Sequence, residues 1–347
     1  MLRKLRVKNF YSFRDETILD LTGDNKNVIG LKGKNGAGKT NLMKAITFLL
    51  FFCSHGSTLK KSETKDFREI DPFYLSEEPI EISIEFSVND LEYYYSVVIK
   101  KGFEVEENLS LIDGLNIESL VERRGDEITH CVDELKEIQD FKLRDDLSFI
   151  CFQSMFNMKN KSQHLENADD FFTRIINNAS TTGHVDIVDF ETMQKATDTY
   201  RHDKDLLKVV TSILHTIDES IVDIEIEEAT GRKGEEIYFP VFEHQVEDEV
   251  YYLPLHKESS GISRVYTLLD CIMTVITSGG ILVLDELDSH LYVDATQVLL
   301  SIFSNDKINL YSAQLIFSAH SKETFDLIDD EHVYIVEKIK NVSQIKV

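Results

Sequence analysis

Apolar and polar residues alternate strictly over residues 80–88, a pattern typical of a strand that buries only one face. A polar turn follows, and residues 93–100 repeat the strand pattern as a hairpin partner. Shorter strand patterns continue beyond them. We therefore predict an antiparallel β subdomain over residues 78–131, preceded by two further strands within residues 1–22.

Unbroken apolar runs have a different meaning. Residues 28–31, 281–284 and 314–319 are continuously apolar or nearly so, and residues 332–336 form a last strand pattern. Such runs, alternating with helical segments, predict strands of a largely parallel sheet that is buried on both faces. The segment 42–53 is apolar almost all round, which predicts a buried helix.

The middle of the chain is rich in charge and helical in its periodicity. Between residues 133 and 222 there is no proline, and Phe171, Ile175 and Ile176 recur at helical spacing. The pattern predicts an inserted helical lobe. Between residues 221 and 255 strand patterns return over residues 222–226 and 236–242.

The loop after the first apolar run fits the phosphate-binding pattern G-x-x-x-x-G-K-[ST] at residues 33–40. Glycines let the backbone turn its N–H groups inward, and the following helix directs its positive end at the same point. A chance match in a chain of this length is on the order of one in a hundred at ordinary glycine usage. The predicted nucleotide-binding residues are Asn35, Gly36, Ala37, Gly38, Lys39, Thr40 and Asn41.

Polar residues stand at the ends of the later apolar runs. Asp285 and Glu286 follow four apolar residues, and His320 ends the run that begins at Gln314. Parallel strands would bring these ends to one edge of the sheet, where ligands bind. We expect Lys39 to contact the phosphates, Thr40 and Asp285 to hold Mg²⁺, and Glu286 to activate water.

A shorter motif, Glu258-Ser259-Ser260-Gly261, precedes a predicted helix. It is either an N-cap or a second phosphate-binding turn. The second interpretation makes sense only if the turn serves the nucleotide of a neighbouring chain.

Composition limits the class of protein. Lys and Arg number 37 and Asp and Glu 62, a net charge of −25, which argues against a broad nucleic-acid-binding surface but leaves a local basic groove possible. The four cysteines have no zinc spacing, and we expect reduced core thiols. The longest apolar run, residues 46–53, is too short to span a bilayer, so we expect no membrane partner and a cytoplasmic protein.

The order of these elements resembles the ABC-type ATPase heads of the SMC/RecF/OLD group, and within it the small AAA-15/AAA-21 ATP-binding proteins of bacterial defence loci. The resemblance covers roughly residues 1–55 and 240–340. It rests on six segments: the opening 6–13, the Walker A run 33–40, the signature 258–261, the Walker B run 281–286, the D-loop 287–291 and the switch run 314–321.

The resemblance implies an α/β P-loop NTPase of ABC type with a mixed, largely parallel core sheet, an antiparallel β subdomain and an inserted helical lobe. Its divisions would be 1–131, an N-terminal ATPase half with Walker A, then 132–222, the helical lobe, and 223–347, a C-terminal ATPase half with signature, Walker B and switch histidine.

The resemblance also implies roles for particular residues. Ser259 and Gly261 would meet the γ-phosphate bound by a second copy of the chain, Asp288 would lie at the dimer interface, and His320 would sense the γ-phosphate. Relatives carry a glutamine that touches Mg²⁺ and the attacking water, and Gln153 is the candidate here.

This sequence departs from its relatives at several points. The signature reads E-S-S-G, and Tyr11 stands where many relatives have arginine, which puts a basic contact there in doubt. No long coiled coil or zinc hook is present, and we expect no Toprim nuclease after the last strand. An Arg-x₅-His spacing, Arg124 to His130, is similar to a ribonuclease motif, but it falls on a predicted hairpin.

We therefore expect an ATPase that binds ATP and Mg²⁺, forms an ATP-sandwich homodimer, and holds or gates a separate effector, a nuclease or toxin, in antiphage defence. Two alternatives stay open: a RecF-like DNA-repair ATPase that clamps DNA, and an ATP-dependent scaffold with slow turnover. The sequence identifies neither the effector nor its trigger.

Overall fold

A computed structural model gives the fold of the chain and describes residues 1–23, 26–55, 70–155, 161–180, 183–184, 190–230, 234 and 236–346. The sequence also predicts a polar turn over residues 24–27 and a polar connection over residues 54–71, and residues 24, 25 and 56–69 of these segments lie outside the described part. No described helix is both long and apolar enough to cross a membrane.

Strands and helices are numbered here in chain order. The strands are β1 (Leu2–Lys8), β2 (Thr17–Asp20), β3 (Val28–Lys32), β4 (Ile80–Val88), β5 (Leu91–Ile99), β6 (Val105–Asp113), β7 (Asn116–Arg124), β8 (Glu127–Cys131), β9 (Ile175–Asn177), β10 (Ala179–Ser180), β11 (Gly183–His184), β12 (Ile221–Thr230), β13 (Glu236–Val246), β14 (Glu249–Pro254), β15 (Ile281–Leu284), β16 (Gln314–Ser318), β17 (Val333–Ile339) and β18 (Val342–Lys346). The α-helices are α1 (Lys39–Leu50), α2 (Phe152–Met155), α3 (Gln163–Thr173), α4 (Phe190–His202), α5 (Lys204–Ile217), α6 (Ser260–Ser278), α7 (Val293–Ser304) and α8 (Lys322–Phe325). A π-helical turn, Phe51–His55, extends α1, and short 3₁₀ turns cover Phe73–Leu75, Asp133–Ile138, Leu255–Lys257 and Asp330–His332.

The antiparallel sheet has seven strands in the order β2-β1-β4-β5-β6-β7-β8. β4 and β5 pair without interruption from Ile80 opposite Ile99 to Val88 opposite Leu91. Apolar residues at alternate positions of β4 are buried, as the alternation predicts. The Arg124-to-His130 spacing does fall on a hairpin, that of β7 and β8.

The core sheet has six strands in the order β18-β17-β3-β16-β15-β9. The pairs β17–β3, β3–β16, β16–β15 and β15–β9 are all parallel, and only β18 is antiparallel to its neighbour. The prediction of a mixed, largely parallel core sheet is therefore confirmed. The carboxyl ends of β3, β15 and β16 meet at one edge, and the candidate site lies there.

One part of the helical-lobe prediction is wrong, namely the helix expected around Ile175 and Ile176. Ile175 and Ile176 lie in β9, which pairs in parallel with β15 as the last strand of the core sheet. A short apolar run has no period of its own, so it cannot distinguish a buried strand from a helix segment. The segment after Cys131 also begins with a 3₁₀ turn rather than an α-helix. The divisions at residues 131 and 222 stay predictions.

A third sheet, β12-β13-β14, packs beside helices α4, α5 and α6. Within this layer the buried Tyr200 hydroxyl of α4 donates to the carbonyl oxygen of Tyr266 in α6, 2.9 Å away. The sequence patterns indicated β12 and β13. They missed β14 and β18, which are hairpin partners with little burial of their own.

Candidate functional site

The predicted phosphate loop connects β3 to α1 at the carboxyl edge of the core sheet. Gly36 and Gly38 have left-handed φ angles of 73° and 117°, which glycine adopts without strain. Asn35 and Gly36 are exposed at the tip, whereas Ala37 and Gly38 are buried. The loop therefore turns as a phosphate-binding loop requires.

Two serines, Ser12 and Ser343, stabilise this loop, although the sequence assigned no role to either. Ser343 of β18 donates from Oγ to the carbonyl oxygen of Ala37 at 2.6 Å, and its N–H donates to the carbonyl oxygen of Ser12 at 2.8 Å. Asn41 Nδ2 donates to Ser12 Oγ at 2.9 Å. A Cβ on Gly38 would lie 2.6 Å from Ser343 Oγ. Only the fold brings residue 343 to the loop, so the sequence carried no signal for this contact.

The neighbourhood of Tyr11 holds a positive charge despite the missing arginine. Tyr11 has a left-handed φ of 47°, and Lys44 Nζ of α1 lies 4.5 Å from the centre of its ring. Burial lowers the pKa of Lys44.

Lys39 is 6% exposed, and its Nζ donates to the carbonyl oxygen of Gly33 at 2.8 Å, across the loop. Burial lowers the pKa of Lys39, and the carboxylates of Asp285, Glu286 and Asp288 oppose that shift. The ammonium group therefore lies within the field of the acidic residues that follow β15. A phosphate chain in the loop would bring it a stronger counter-charge.

Thr40 and Asp285 meet directly. Thr40 Oγ1 donates to Asp285 Oδ2 at 2.7 Å, and Ser318 of β16 donates from its hydroxyl to the other oxygen, Oδ1. Asp285 is 3% exposed. A hydroxyl and a carboxylate oxygen side by side fit Mg²⁺, which is held in nucleotide sites by one or two protein oxygens together with phosphate and water. No group of three or more His, Cys, Asp or Glu side chains with metal-binding geometry occurs among the described residues.

A buried asparagine fixes the backbone of Asp285. Asn178, the residue after β9, accepts from Asp285 N–H at 2.6 Å and donates to the carbonyl oxygen of Asp285 at 3.0 Å. Sequence reasoning missed Asn178 because it placed this segment in a helix. The pair Asn177-Asn178 follows two apolar residues, as Asp285 follows four, and that was the available signal.

Glu286 has a left-handed φ of 56°, which is unusual for a residue with a Cβ. Its N–H donates to Ser318 Oγ at 2.9 Å, and its carbonyl oxygen accepts from Arg264 Nη2 at 3.2 Å. The side chain is 40% exposed, and Oε1 lies 3.2 Å from His320 Nε2. The backbone is held on both sides while the carboxylate faces the open edge of the sheet.

Asp288 connects the D-loop to the turn after β16. Its carboxylate accepts from the N–H of His320 at 2.9 Å and from the N–H of Ser321 at 2.6 Å. Through these contacts the positions of Glu286 and His320 depend on each other.

The signature residues lie at the start of α6. Ser259 is the N-cap, and its hydroxyl accepts from Ile262 N–H at 3.2 Å, while Ser259 and Ser260 are both exposed. A Cβ on Gly261 would lie 3.2 Å from the carbonyl oxygen of His290, so the D-loop would have to shift by a few tenths of an ångström to admit a side chain there. Glu258 instead points inward to His244, with 2.7 Å between Oε1 and Nε2.

Gln153 lies in α2, and its side chain is outside the part that the structure describes. Its assignment to the metal site stays a prediction. The fold places Asn178 beside Asp285, whereas the neighbouring Asn177 has its Oδ1 3.4 Å from Thr47 Oγ1 of α1.

Comparisons with known proteins agree with this geometry. Residues 28–326 match the AAA_21 family, described as "AAA domain, putative AbiEii toxin, Type IV TA system". The chain belongs to this family. No curated protein matches the sequence.

Two solved structures have the same fold. The SMC head domain from Thermotoga maritima is 15% identical, with a TM-score of 0.52, and the match covers 99% of this chain and 98% of that one. The SMC head bound to the C-terminal winged-helix domain of ScpA is 14% identical, with a TM-score of 0.55 and coverage of 99% and 97%. The fold is therefore that of an ABC-type P-loop ATPase of the SMC/RecF group, as the sequence predicted.

Proposed function

We propose that the protein binds and hydrolyses ATP with Mg²⁺, dimerises when ATP is bound, and uses the change of state to hold or release a separate effector. The observation that carries the proposal is the 2.7 Å contact between Thr40 of the phosphate loop and Asp285 at the end of β15. It joins the two halves of a nucleotide site across more than two hundred residues of sequence. Family membership supports ATP binding and hydrolysis in general.

Each residue then has a task. The N–H groups of residues 35–41 and the ammonium of Lys39 bind the phosphates. Thr40 and Asp285 hold Mg²⁺, which supplies charge neutralisation at the phosphates. Glu286 accepts a proton from the attacking water, and His320 orients Glu286 and donates a hydrogen bond towards the terminal phosphate.

The signature motif supports a dimer. Ser259 and Ser260 are exposed at the positive end of a nineteen-residue helix, α6, where an anion is stabilised. This chain already has its own phosphate loop. The second anion site is therefore best used by the nucleotide of another copy, in a head-to-tail sandwich with two-fold symmetry.

The effector is the part of the proposal that depends least on the geometry of the site. The family description names a putative toxin of a type IV toxin–antitoxin system, which supports a toxin-related role. A place in antiphage defence with a separate nuclease or toxin as partner rests on the resemblance to the AAA-15/AAA-21 proteins. Among the alternatives, DNA clamping is opposed by the net charge of −25.

Glu286→Gln tests the central step. General bases contribute about 10²–10⁴-fold to rate, so we expect hydrolysis to fall by at least about a hundred-fold, with ATP binding retained and a stable dimer in light scattering. Glu118→Gln, an exposed acid on β7, is the matched control and should behave as wild type. Wild type that hydrolyses ATP no faster than Glu286→Gln would favour the slow-turnover scaffold, and a variant that stays monomeric with ATP would refute the sandwich.

A further inference from the structure

The small sheet β12-β13-β14 ends in an unusual edge strand. In the described part of the chain β14 pairs only with β13, and five of its six residues are exposed. Val250, Tyr251, Tyr252 and Leu253 are 42%, 48%, 62% and 37% exposed. Among the described residues, no strand pairs with the backbone groups on its outer side.

Natural edge strands are usually protected against pairing by lysine, by an inward charge, by a bulge or by an internal proline. β14 has none of these. Its six pairs with β13 run without a register shift, and its proline, Pro254, stands at the end opposite Val241. This edge can therefore accept another strand, the arrangement known as β-augmentation.

The charge of the sheet narrows the choice of partner. The three strands carry seven Asp or Glu residues and no Lys or Arg. Asp223, Glu243 and Tyr252 stand directly opposite one another across the sheet, with Glu225 beside them on the same face. The Glu243 carboxylate raises the pKa of the Tyr252 phenol. Like charges directly opposite destabilise a sheet, so an added cation would relieve this face.

The two faces of β14 predict the sequence pattern of a partner strand. Tyr252 lies on the acidic face, whereas Tyr251 and Leu253 lie on the other, opposite His244 and Phe242 of β13. Because side chains alternate between faces, a fourth strand would place every second residue directly beside Tyr252, about 10 Å from the strand position of Glu243 on the same face. Lys or Arg suits these positions, through ion pairs and a cation–π contact, and apolar residues suit the positions between.

We infer that β14 is the docking edge for a basic, extended segment of a partner protein, which adds to the sheet as a fourth strand with alternating basic and apolar residues. A second copy of the chain fits poorly, because it would bring two acidic sheets together. Nucleic acid also fits poorly, because its phosphates are negatively charged like the sheet. The inference goes beyond the proposed ATPase and does not depend on hydrolysis.

The test uses the full chain and a fluorescein-labelled peptide of alternating Lys and Val. We expect saturable binding by fluorescence anisotropy and slowed amide hydrogen exchange in residues 249–253. A Glu–Val peptide should not bind. The Lys–Val peptide with a central proline should bind at least about ten-fold more weakly, because proline cannot donate to the ladder.

Charge reversal tests whether the acidic face of the sheet receives the basic side chains of the peptide. Glu225→Lys combined with Glu243→Lys should weaken peptide binding at least about ten-fold. Glu118→Lys combined with Glu331→Lys, an equal change in charge at exposed sites outside this sheet, should leave it unchanged, with circular dichroism confirming that both variants fold. No binding, equal binding of the proline peptide, protection outside β14, or nucleotide-free self-association through residues 249–254 would each overturn the inference.

Discussion

Gly38 lies where the phosphate loop packs closely against Ser343 and Ser12. The residue has φ 117°, and a Cβ would lie 2.6 Å from Ser343 Oγ and 2.9 Å from Ser12 Oγ. Gly36 is also left-handed, but nothing lies within 4 Å of its Cβ position. Gly38 therefore combines a backbone conformation that an L-residue cannot easily adopt with close packing, whereas Gly36 has only the left-handed conformation.

We predict that Gly38→Ala weakens ATP binding by more than about ten-fold, because the loop must move away from β18 to admit the methyl group. Gly36→Ala should cost only the left-handed conformation, about 1–2 kcal/mol. Titration of a fluorescent ATP analogue measures both affinities. Equal losses for the two variants would contradict a role for the Ser343 contact.

Asn178 is the residue whose function depends most on tertiary contacts. We predict that Asn178→Leu lowers both stability and turnover, because it leaves two buried backbone groups of Asp285 without partners, at about 1–3 kcal/mol each. Urea unfolding measures the first effect, and steady-state hydrolysis of the folded enzyme measures the second.

Asn309→Leu is the control for this variant. Asn309 is also buried and also bonds to backbone, to the carbonyl oxygens of Phe303 and Ala313 and to Ala313 N–H, but it lies in the loop between α7 and β16. It should lose similar stability with unchanged kcat. If Asn178→Leu behaves in the same way, the Asn178 contact serves stability alone.

Among the elements, α6 is the one that touches both proposed halves of the catalytic machinery. Its N-terminus presents Ser259, and three residues after Gly261 the buried Arg264 donates to the carbonyl oxygen of Glu286. A shift of α6 would therefore move the backbone of Glu286. Arg264 is a positioning residue in this arrangement, because it donates to the backbone of Glu286.

We predict that Arg264→Gln lowers kcat several-fold to ten-fold and leaves KM for ATP nearly unchanged, because the phosphate loop keeps its contacts. Lys257→Gln, at an exposed basic residue just before the signature, is the control and should change neither constant. Both constants come from steady-state hydrolysis at varied ATP. A rise in KM with constant kcat would place Arg264 in binding instead.

For the whole molecule, the proposed sandwich means that each site takes its phosphate loop from one copy and its signature from the other. Lys39→Ala and Ser259→Arg should each abolish hydrolysis alone. Mixed together they form a heterodimer with one site whose loop and signature are both intact. We predict that the mixture regains activity, up to about half of that of wild type per heterodimer.

Hydrolysis assays of the mixture at several ratios measure this recovery. The double variant mixed with wild type is the control, because every site in that heterodimer has one defect. A mixture that stays inactive would show that loop and signature act within one chain.

The sequence by itself determined the elements that local pattern encodes. Local sequence pattern was enough to predict the alternating strands β4 and β5, the continuously apolar strands β3, β15 and β16, and the loop at residues 33–40. The order of motifs was sufficient to predict an ABC-type ATPase fold and to single out Lys39, Thr40, Asp285, Glu286 and His320.

Tertiary structure alone decided the contacts between distant segments. Ile175 and Ile176 form a strand because they pair in parallel with the edge of β15. This pairing places Asn178 in contact with Asp285. Ser343 reaches the phosphate loop only because β18 folds back beside β17. The exposure of β14 likewise follows from what packs around it. Local patterns report burial and turns, whereas these contacts depend on which distant backbone groups need partners.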